Sequence, residues 1–514
     1  MRHPSPSVRR WVTTMTLLLL AVTVPLSADE LLKQFEEKTT VHVLDNGWTF
    51  IIVERPVAPV FSFATVVNVG GAQEVPGITG LAHMFEHMAF KGTPNIGTTD
   101  YESEKKAIEA VEAAYQAYDR ARRSPQPDPA EVEKLLADFE AKQKAALEYV
   151  IPNEFGDLVE RAGGVGLNAF TNSDMTGYAY SFPANRTELF AYLESERFLH
   201  PVFREFYKER DVVQEERRMR TDNQPVGRMI EQAIGTAFLA HPYKQPVVGY
   251  MSDLQSFSAT DAKEFYETHY VPSNMVTGIV GHVDAEALIP LLEKYFGRMP
   301  AGDPPPILRT VEPPQIAEKT VVVVDPAQPF YSEMYHRPDG QHPDDAVYQA
   351  IDDIMSNGRT SRLYRRLVRD EKIAIATASL SPFPGQKYPG LWLAYAVPAK
   401  GHSNEEVQAA IQEELERLKT EPVTESELKR FRTRTKADLL RQLDNNFGLA
   451  LQVATAQTFD GDWRAIFHDI QAIEKVTEED IMRVAKETFV PRNRTVAMIV
   501  TEDPAANGGE AGGQ

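Results

Sequence analysis

The chain carries an internal repeat at an offset of 219 residues, from Asp261 to Asp480. Residues 261–280, DAKEFYETHYVPSNMVTGIV, correspond to residues 480–499, DIMRVAKETFVPRNRTVAMI, and share the Asp, the Val-Pro pair and the following Asn. Both copies have the pattern of a helix, a Val-Pro break and a strand. Self-similarity of this kind indicates a duplicated unit. The chain is therefore predicted to fold as two related halves, joined by the Pro-rich residues 301–317.

Residues 80–92, GLAHMFEHMAFKG, have the pattern of a helix with two different faces. The apolar residues form one stripe, and His83, Glu86 and His87 lie within an arc of roughly 100° on the opposite side. Histidines four residues apart lie on successive turns, so both can reach one metal ion. The order His-x-x-Glu-His is the inverted form of the common zinc-protease motif. This segment predicts a zinc site, and the alternative is a surface helix that holds these residues by chance.

Local signals around this segment support a helix preceded by strands. Thr79 can cap the helix N-terminus, and Gly92 can end the helix in the left-handed conformation. Upstream, residues 40–44 and 48–54 alternate between apolar and polar around an Asp-Asn-Gly turn, which predicts a β-hairpin. A third strand is predicted at residues 60–69.

Composition excludes several kinds of site and partner. The chain has no cysteine, which excludes disulfides, thiolate metal ligands and a cysteine nucleophile, and leaves His and carboxylates as the strong zinc ligands. The net charge of −20 disfavours nucleic acid and anionic membranes as partners. The first residues carry arginines, then an apolar run at residues 11–24, then Pro-Leu-Ser-Ala. Residues 1–28 are therefore predicted to be a signal peptide of a periplasmic or secreted protein without a membrane anchor.

Residues 100–150 are predicted to form a helical hairpin inserted in the first half. Both arms are rich in Ala, Glu and Lys, and Ser-Pro-Gln-Pro separates them. Asp128 at the N-cap, Pro129 at the first helical position and Glu131 at the third predict the start of the second arm. We expect this hairpin to protrude as a solvated spacer without chemistry.

A second predicted helix, residues 209–219, supplies acidic side chains. Glu209 and Glu216 lie two turns apart and share a face, whereas Glu215 lies about 100° away. Zinc held by two histidines needs a third protein ligand and an open position for water. Glu216 is the candidate ligand, although acidic residues on a helix of so acidic a chain are usually a solvated face.

The strand-like run at residues 165–171 is small and polar enough to lie at an exposed sheet edge. Such an edge can accept an extended peptide as an added strand. The sequence alone does not distinguish this edge from a buried strand. In the second half, residues 348–358 occupy the place of the zinc helix but offer Gln349, Asp352 and Asp353. We expect no zinc there.

These motifs together resemble the pitrilysin/insulinase family, and within it the bacterial members similar to mitochondrial processing peptidase. The resemblance spans about residues 40–501 and rests on His83 to His87, MAFKGT, GGVGLNAFT, ERDVVQEERRM and the HPYKQPVVG stretch. It implies that His83, His87 and Glu216 bind one Zn²⁺, that Glu86 is the catalytic base, and that Glu209 supports a ligand. It also implies that a peptide lies against an edge strand at residues 167–171, touching Asn168, Ala169 and Phe170.

The implied fold class is α+β. Two homologous α/β-roll domains, each a mostly antiparallel sheet packed with helices, would form a clamshell. The expected division is a signal peptide at 1–28, a catalytic domain at 29–300 with the hairpin at 100–150, the linker at 301–317, a non-catalytic domain at 318–503 and a disordered tail at 504–514.

The sequence departs from the family pattern in two places. The interval between the zinc helix and Glu216 is about fifty residues longer than usual, and the hairpin accounts for the difference. After Ser361-Arg362-Leu363, members active alone place an Arg and then a substrate-contacting Tyr, whereas the run from Arg369 here has no tyrosine. The resemblance thus points to a heterodimer with a homologous subunit that lacks the zinc motif. A homodimer, or substitution by Tyr388 or Tyr395, is the alternative.

The leading functional hypothesis is a zinc metalloendopeptidase that hydrolyses unfolded peptides or proteins. A non-catalytic peptide-binding or scaffold subunit is the first alternative, and the intact set of His83, Glu86 and His87 argues against it, because a scaffold needs no general base. A zinc-binding protein is the third possibility, and it would not need a glutamate aimed at the metal.

Overall fold

A computed structural model describes residues 28–502. Except for Ala28, the predicted signal peptide lies outside the described residues, and so does the predicted tail at 504–514. The first half contains β1 (Thr39–Val43), β2 (Thr49–Glu54), β3 (Val60–Val67), β4 (Val165–Thr171), β5 (Thr176–Pro183) and β6 (Met275–Gly281). The second half contains β7 (Lys319–Asp325), β8 (Phe330–Arg337), β9 (Ala374–Phe383), β10 (Gly390–Pro398) and β11 (Arg494–Thr501).

The strands form two mixed sheets. Their orders are β1-β2-β6-β3-β5-β4 and β7-β11-β8-β10-β9. Only β2–β6 and β7–β11 are parallel pairs, so both sheets are mostly antiparallel. The α+β fold of two sheet-plus-helix domains is thereby confirmed.

Helices cover both sheets. In the first half they are α1 (Ala28–Glu36), α2 (Leu81–Met88), α3 (Tyr101–Arg122), α4 (Pro129–Ala146), α5 (Glu154–Arg161), α6 (Thr187–Leu199), α7 (Phe206–Arg217), α8 (Pro225–Ala237), α9 (Met251–Leu254), α10 (Ala259–His269) and α11 (Ala285–Phe296). In the second half they are α12 (Asp345–Ser356), α13 (Asn404–Thr420), α14 (Glu425–Leu443), α15 (Asn446–Asp460), α16 (Ala465–Lys475) and α17 (Glu478–Thr488). A π-helical turn, Arg218–Asp222, follows α7, and another, Tyr364–Asp370, lies before β9.

The repeated residues make equivalent hydrogen bonds in both halves. Asp261 is the third residue of α10 and forms a capping box with Ser258, and Asp480 does the same in α17 with Thr477. After each Val-Pro break, the shared Asn bonds back to the helix: Asn274 Nδ2 donates to His269 O at 2.9 Å, and Asn493 Nδ2 to Thr488 O at 3.0 Å. The repeat is therefore a helix, a turn and an interior strand of each sheet, β6 or β11.

One helix of each half packs against the sheet of the other half. Side chains of α15 lie in one apolar cluster with the outer face of the first sheet, and α8 lies in another cluster with the second sheet. The approach is close, because a Cβ at Gly278 of β6 would lie 2.2 Å from Ala450 O of α15. Lys319 Nζ of β7 bonds to the last carbonyls of α8, at 2.7 Å and 2.9 Å. This exchange of helices fixes the two halves against each other.

The inserted hairpin does not simply protrude. Tyr115 of α3 is buried, and its hydroxyl donates to Ser256 O at 2.9 Å. The buried Arg204 forms an ion pair with Glu104 of α3, and its guanidinium also donates to carbonyls of the loop that follows α2. The second arm, α4, is more exposed and has Phe139 as its one buried residue. The expectation of a protruding spacer is therefore wrong for α3, which packs on the core because its Val111, Ala114 and Tyr115 form an apolar face.

Candidate metal centre

The helix α2 begins with a cap that the sequence did not indicate. Gly80 is its N-cap residue in the left-handed conformation, with φ of 96° and no side-chain cap of its own. The buried carboxyl of Glu74 accepts from Gly80 N and Ala82 N, both at 2.7 Å. Thr79, expected to be the cap, instead donates through its hydroxyl to Asp253 at 2.6 Å. The expectation of a Thr79 cap is wrong, since the carboxyl of Glu74, in the preceding loop, satisfies these amides.

The end of α2 also differs from the expectation. Gly92 is left-handed, with φ of 89°, as expected. The helix itself ends earlier, at Met88, and Ala89 is its C-cap in right-handed geometry. The short helix still contains both turns that carry His83 and His87.

Three predicted residues meet beside α2. The side chains of His83, His87 and Glu216 each offer an atom, and these atoms all lie within 4.8 Å of one another. Glu216 Oε2 is 3.6 Å from His83 Nε2 and 3.2 Å from His87 Nε2. The two imidazole rings are 4.9 Å apart at 84°. Among residues 28–502, this is the one such cluster of His and carboxylate groups.

The donor set fits a zinc ion. Two imidazoles and one carboxylate are the ligands of many catalytic zinc sites, which keep a fourth position open. Burial lowers the pKa of His83 to about 4, so its ring is neutral at physiological pH and can use a lone pair for a metal. The side chains of His87 and Glu216 are 21% and 16% exposed, which leaves the cluster accessible from one side.

Glu86 lies next to this cluster without belonging to it. The Thr171 side chain, at the end of β4, lies close to the Glu86 carboxyl, and its hydroxyl donates to Ala82 O of α2 at 3.4 Å. Burial raises the pKa of Glu86 above its usual range. A carboxyl with a raised pKa, beside a zinc site whose open position would hold water, suits general acid–base catalysis near neutral pH.

Glu209 lies beside His87 on the ring side opposite to Glu216. Its Oε2 is 3.6 Å from His87 Nδ1, and the bond to Glu209 is the main cause that raises the pKa of His87. Lys91 Nζ contacts Glu209 and lies 3.0 Å from Glu205. Lys91 belongs to the MAFKGT motif, in which the sequence indicated no role for it. Its distance of 118 positions from Glu209 left no local signal that could have paired them.

The register on α7 is as expected. Glu216 faces the histidines, whereas Glu215 is 58% exposed and pairs with Arg218 at 2.9 Å. Arg220, in the π-helical turn, contacts the other oxygen of Glu216, Oε1.

The strand β4 is an edge strand, which resolves the alternative that the sequence left open. It pairs on one side with β5, and it packs against α2 on its inner face. Asn168 is exposed, Ala169 is buried, and Phe170 packs against the outer apolar cluster. Peptide binding by these three residues stays a prediction.

The second half has no comparable cluster among its described residues. In α12, Asp353 pairs with Arg434 of α14 at 3.1 Å, in the place where α2 faces α7 in the first half. Asp352 contacts Ser379 of β9, and burial raises the pKa of Asp352 to about 6. In the second half, the guanidinium of Arg434 therefore pairs with an acidic residue of α12, the helix that occupies the place of α2.

A loop of the second half reaches the first half close to β4. Asp174, in the turn between β4 and β5, accepts from Gln386 N at 2.7 Å and from Lys387 N at 3.2 Å. The buried Tyr243, from the HPYKQPVVG stretch, donates to Asp174 and accepts from Tyr388 N at 3.1 Å. That stretch therefore joins the two halves.

Family comparisons match both halves of the chain. The model described as Insulinase (Peptidase family M16) matches residues 49–126, and the model described as Peptidase M16 inactive domain matches residues 256–435. Together these matches cover half of the chain. No helix within residues 28–502 is both long and apolar enough to span a membrane.

Two curated relatives span nearly the whole chain. A zinc protease, PqqE, of Helicobacter pylori is 27% identical over 509 residues, which are 96% of this chain and 99% of that protein. The beta subunit of the mitochondrial processing peptidase of Saccharomyces cerevisiae is 23% identical over 90% of each chain.

Two solved structures show the same fold. A protease from Helicobacter pylori superposes with a TM-score of 0.75 at 26% identity, over 90% of this chain and 99% of that one. The periplasmic protease PqqL from Escherichia coli gives a TM-score of 0.66 at 16% identity, over 92% of this chain but 48% of that one.

Proposed function

The chain belongs to the insulinase family of peptidases, family M16, and from that premise we propose that it is a zinc-dependent endopeptidase. The observation that carries the proposal is the convergence of His83, His87 and Glu216 within 4.8 Å, with Glu86 beside them. The proposed substrate is an unfolded peptide or protein, which can lie along the open edge of β4 as an added strand.

His83, His87 and Glu216 would hold one Zn²⁺ per chain. When bound, that ion polarises the scissile carbonyl and acidifies a water molecule. Glu86 takes the proton of the attacking water and passes it to the leaving amide nitrogen. Thr171 of β4 lies close to the Glu86 carboxyl, and Glu209 orients the ring of His87 through Nδ1.

Two other functions make different predictions. A non-catalytic scaffold or peptide-binding subunit would bind peptides but would not lose any activity on removal of the base. A zinc-binding protein would hold zinc tightly, and the substitution Glu86→Gln would change nothing else. The half-buried Glu86, placed beside the ligands and not among them, favours catalysis over both, because neither binding role needs a general base.

The decisive experiment uses the full mature chain and a library of unstructured peptides. We expect cleavage that stops with a chelator and returns on addition of Zn²⁺. The matched variant Glu86→Gln should bind the same amount of zinc and cleave nothing. Cleavage that survives both the chelator and Glu86→Gln would contradict the proposal.

We further propose that the active form contains a second subunit. The segment from Arg369 to β9 has no tyrosine, and Tyr395 packs against Phe330 with ring centres 5.3 Å apart. Tyr388 lies at the junction of the halves, 5.1 Å from the ring of His241. The PqqL chain, which is about twice as long as its matched part, supports a pair of such units. The preferred partner is a homologous subunit without the zinc motif, and a homodimer is the alternative.

Peptide turnover by the isolated chain, and after addition of a candidate partner, tests the two-subunit proposal. We expect slow turnover alone and a large increase with the partner, measured together with the oligomeric state. Full activity of a monomeric chain would contradict the pairing and leave the zinc chemistry untouched.

The proposed location is the periplasm or the exterior of the cell. A predicted signal peptide at residues 1–28 supports this location, and so does the periplasmic source named for PqqL. Fractionation of cells that express the full chain tests it.

A further inference from the structure

Arg220 is a largely exposed cation beside the candidate metal centre. It lies in the π-helical turn Arg218–Asp222, directly after α7, and its side chain is 73% exposed. One guanidinium nitrogen, Nη1, contacts Glu216 Oε1. The guanidinium is therefore close to the groups that would act on a substrate.

The backbone of this turn is held firmly although Arg220 itself is exposed. Arg217, 7% exposed, donates to Gly249 O at 2.7 Å and pairs with Glu231 at 2.9 Å. A Cβ at Gly227 of α8 would lie 2.5 Å from the carbonyl oxygen of Arg220, so α8 packs directly on the turn. π-helical turns occur often at functional sites. The fold thus fixes the backbone of Arg220 and leaves most of its side chain exposed to solvent.

Neighbouring cations are compensated by acids that are not proposed metal ligands. Arg218 pairs with Glu215, and Lys91 lies between Glu205 and Glu209. Arg220 differs, because its one acidic partner within residues 28–502 is the proposed ligand Glu216. A divalent cation held by Glu216 would take up the charge of that carboxylate. Arg220 is then the uncompensated charge of the site.

We propose that Arg220 determines specificity by receiving a carboxylate of the peptide substrate near the scissile bond. This inference rests on the proposed peptidase function. A guanidinium presents several donors in a planar fork that matches a carboxylate, and such charge-assisted bonds are stronger than neutral ones. The carboxylate can belong to an acidic side chain or to the peptide C-terminus. The local positive charge selects such peptides although the chain as a whole is acidic.

The test compares peptides that differ at one position in Glu, Gln or Lys, each with a free or an amidated C-terminus. We expect kcat/KM for the preferred Glu peptide to exceed that of its Gln counterpart by about tenfold. Preference for Glu in amidated peptides identifies a side-chain carboxylate, and preference for a free C-terminus identifies the terminal one. In Arg220→Gln the preference should vanish, and in Arg220→Glu it should turn towards Lys.

Arg218→Gln is the matched control, since Arg218 lies on the same turn but pairs with Glu215 away from the cluster. It should keep the preference of the wild type, and all variants should retain about one zinc per chain. A second readout is independent of turnover: peptide affinity in the Glu86→Gln background, measured by fluorescence anisotropy. Arg220→Gln should weaken binding of the carboxylate peptide there and leave the Gln peptide unchanged.

Two results would each overturn the assignment to Arg220. They are equal affinity for Glu, Gln and Lys peptides in the wild type, or a carboxylate preference that survives Arg220→Gln. If the wild type hydrolyses no peptide, the proposed function fails, and the anisotropy measurement still decides whether Arg220 binds a carboxylate.

Discussion

Glu209 Oε2 lies 3.6 Å from Nδ1 of His87, while the other ring nitrogen of His87 lies 3.2 Å from Glu216. The imidazole is therefore held between two carboxylates, one at each nitrogen. Partners of this kind fix the ring orientation of a histidine ligand and raise its basicity. Lys91 in turn holds Glu209 in place.

This arrangement predicts that Glu209→Gln weakens zinc binding by about 10- to 100-fold, because the orienting charge at Nδ1 is lost. Competition with a chromogenic chelator measures the change. Glu205→Gln is the control, since Glu205 contacts Lys91 at 3.0 Å and, within residues 28–502, has no contact with the histidines. Equal loss of affinity in both variants would mean that Glu209 acts only through Lys91.

Substitution of the base should separate metal binding from turnover. Glu86→Gln keeps the shape of the side chain but cannot take a proton, so hydrolysis should fall by at least about 100-fold. Metal analysis should still find about one zinc per chain. Loss of the metal, or unchanged turnover, would count against the assigned role.

The two neighbouring glutamates at the end of α7 should behave differently. Glu216→Gln replaces a charged ligand with a neutral one, so zinc affinity should drop sharply. Glu215→Gln should leave zinc affinity unchanged, because Glu215 is exposed and pairs with Arg218. The reverse result would place the third ligand one residue earlier.

The cap of α2 predicts a pH dependence of stability. Burial raises the pKa of Glu74 from 4.5 to about 8, so the folded state favours the protonated form. The resulting stabilisation is present in full below about pH 4.5 and is lost as the pH rises towards 8, by at most about 1.4 kcal/mol per pH unit. Glu74→Gln cannot titrate. Urea unfolding at pH 5, 6.5 and 8 should show the stability of the wild type falling relative to this variant, and a constant difference would contradict the shift.

The junction between the halves predicts opposite effects at two glycines. A Cβ at Gly385 would lie 2.5 Å from the Tyr243 hydroxyl and 2.6 Å from Asp174, so Gly385→Ala should destabilise the fold by about 1–3 kcal/mol. Gly235, in α8, is exposed and has no atom within 4 Å of an added Cβ. Gly235→Ala should stabilise the helix by about 0.5–1 kcal/mol. Urea unfolding measures both, and a loss of stability in each variant would mean that α8 itself tolerates no change.

Local periodicity carried the predictions that the structure bears out. The i, i+4 spacing of His83 and His87 and the two-turn spacing of Glu209 and Glu216 depend only on helix geometry, which the sequence displays directly. The repeat at an offset of 219 residues likewise predicted two related units. For the two helix spacings, the neighbouring residues contain all the necessary information.

Contacts between distant segments were decided by the tertiary structure alone. The sequence could not place β4 at a sheet edge, because edge position depends on which strands pair, and pairing joins residues far apart in the chain. The same holds for the contact of Lys91 with Glu209 and for α3, which packs where a spacer was expected. Glu74 is close in sequence to the amides of α2 that it caps, but its position depends on how the intervening loop folds. The sequence by itself determined which residues could bind a metal and share a helix face. Only the folded chain decided what surrounds them, since burial and long-range hydrogen bonds arise when segments far apart in the chain pack together.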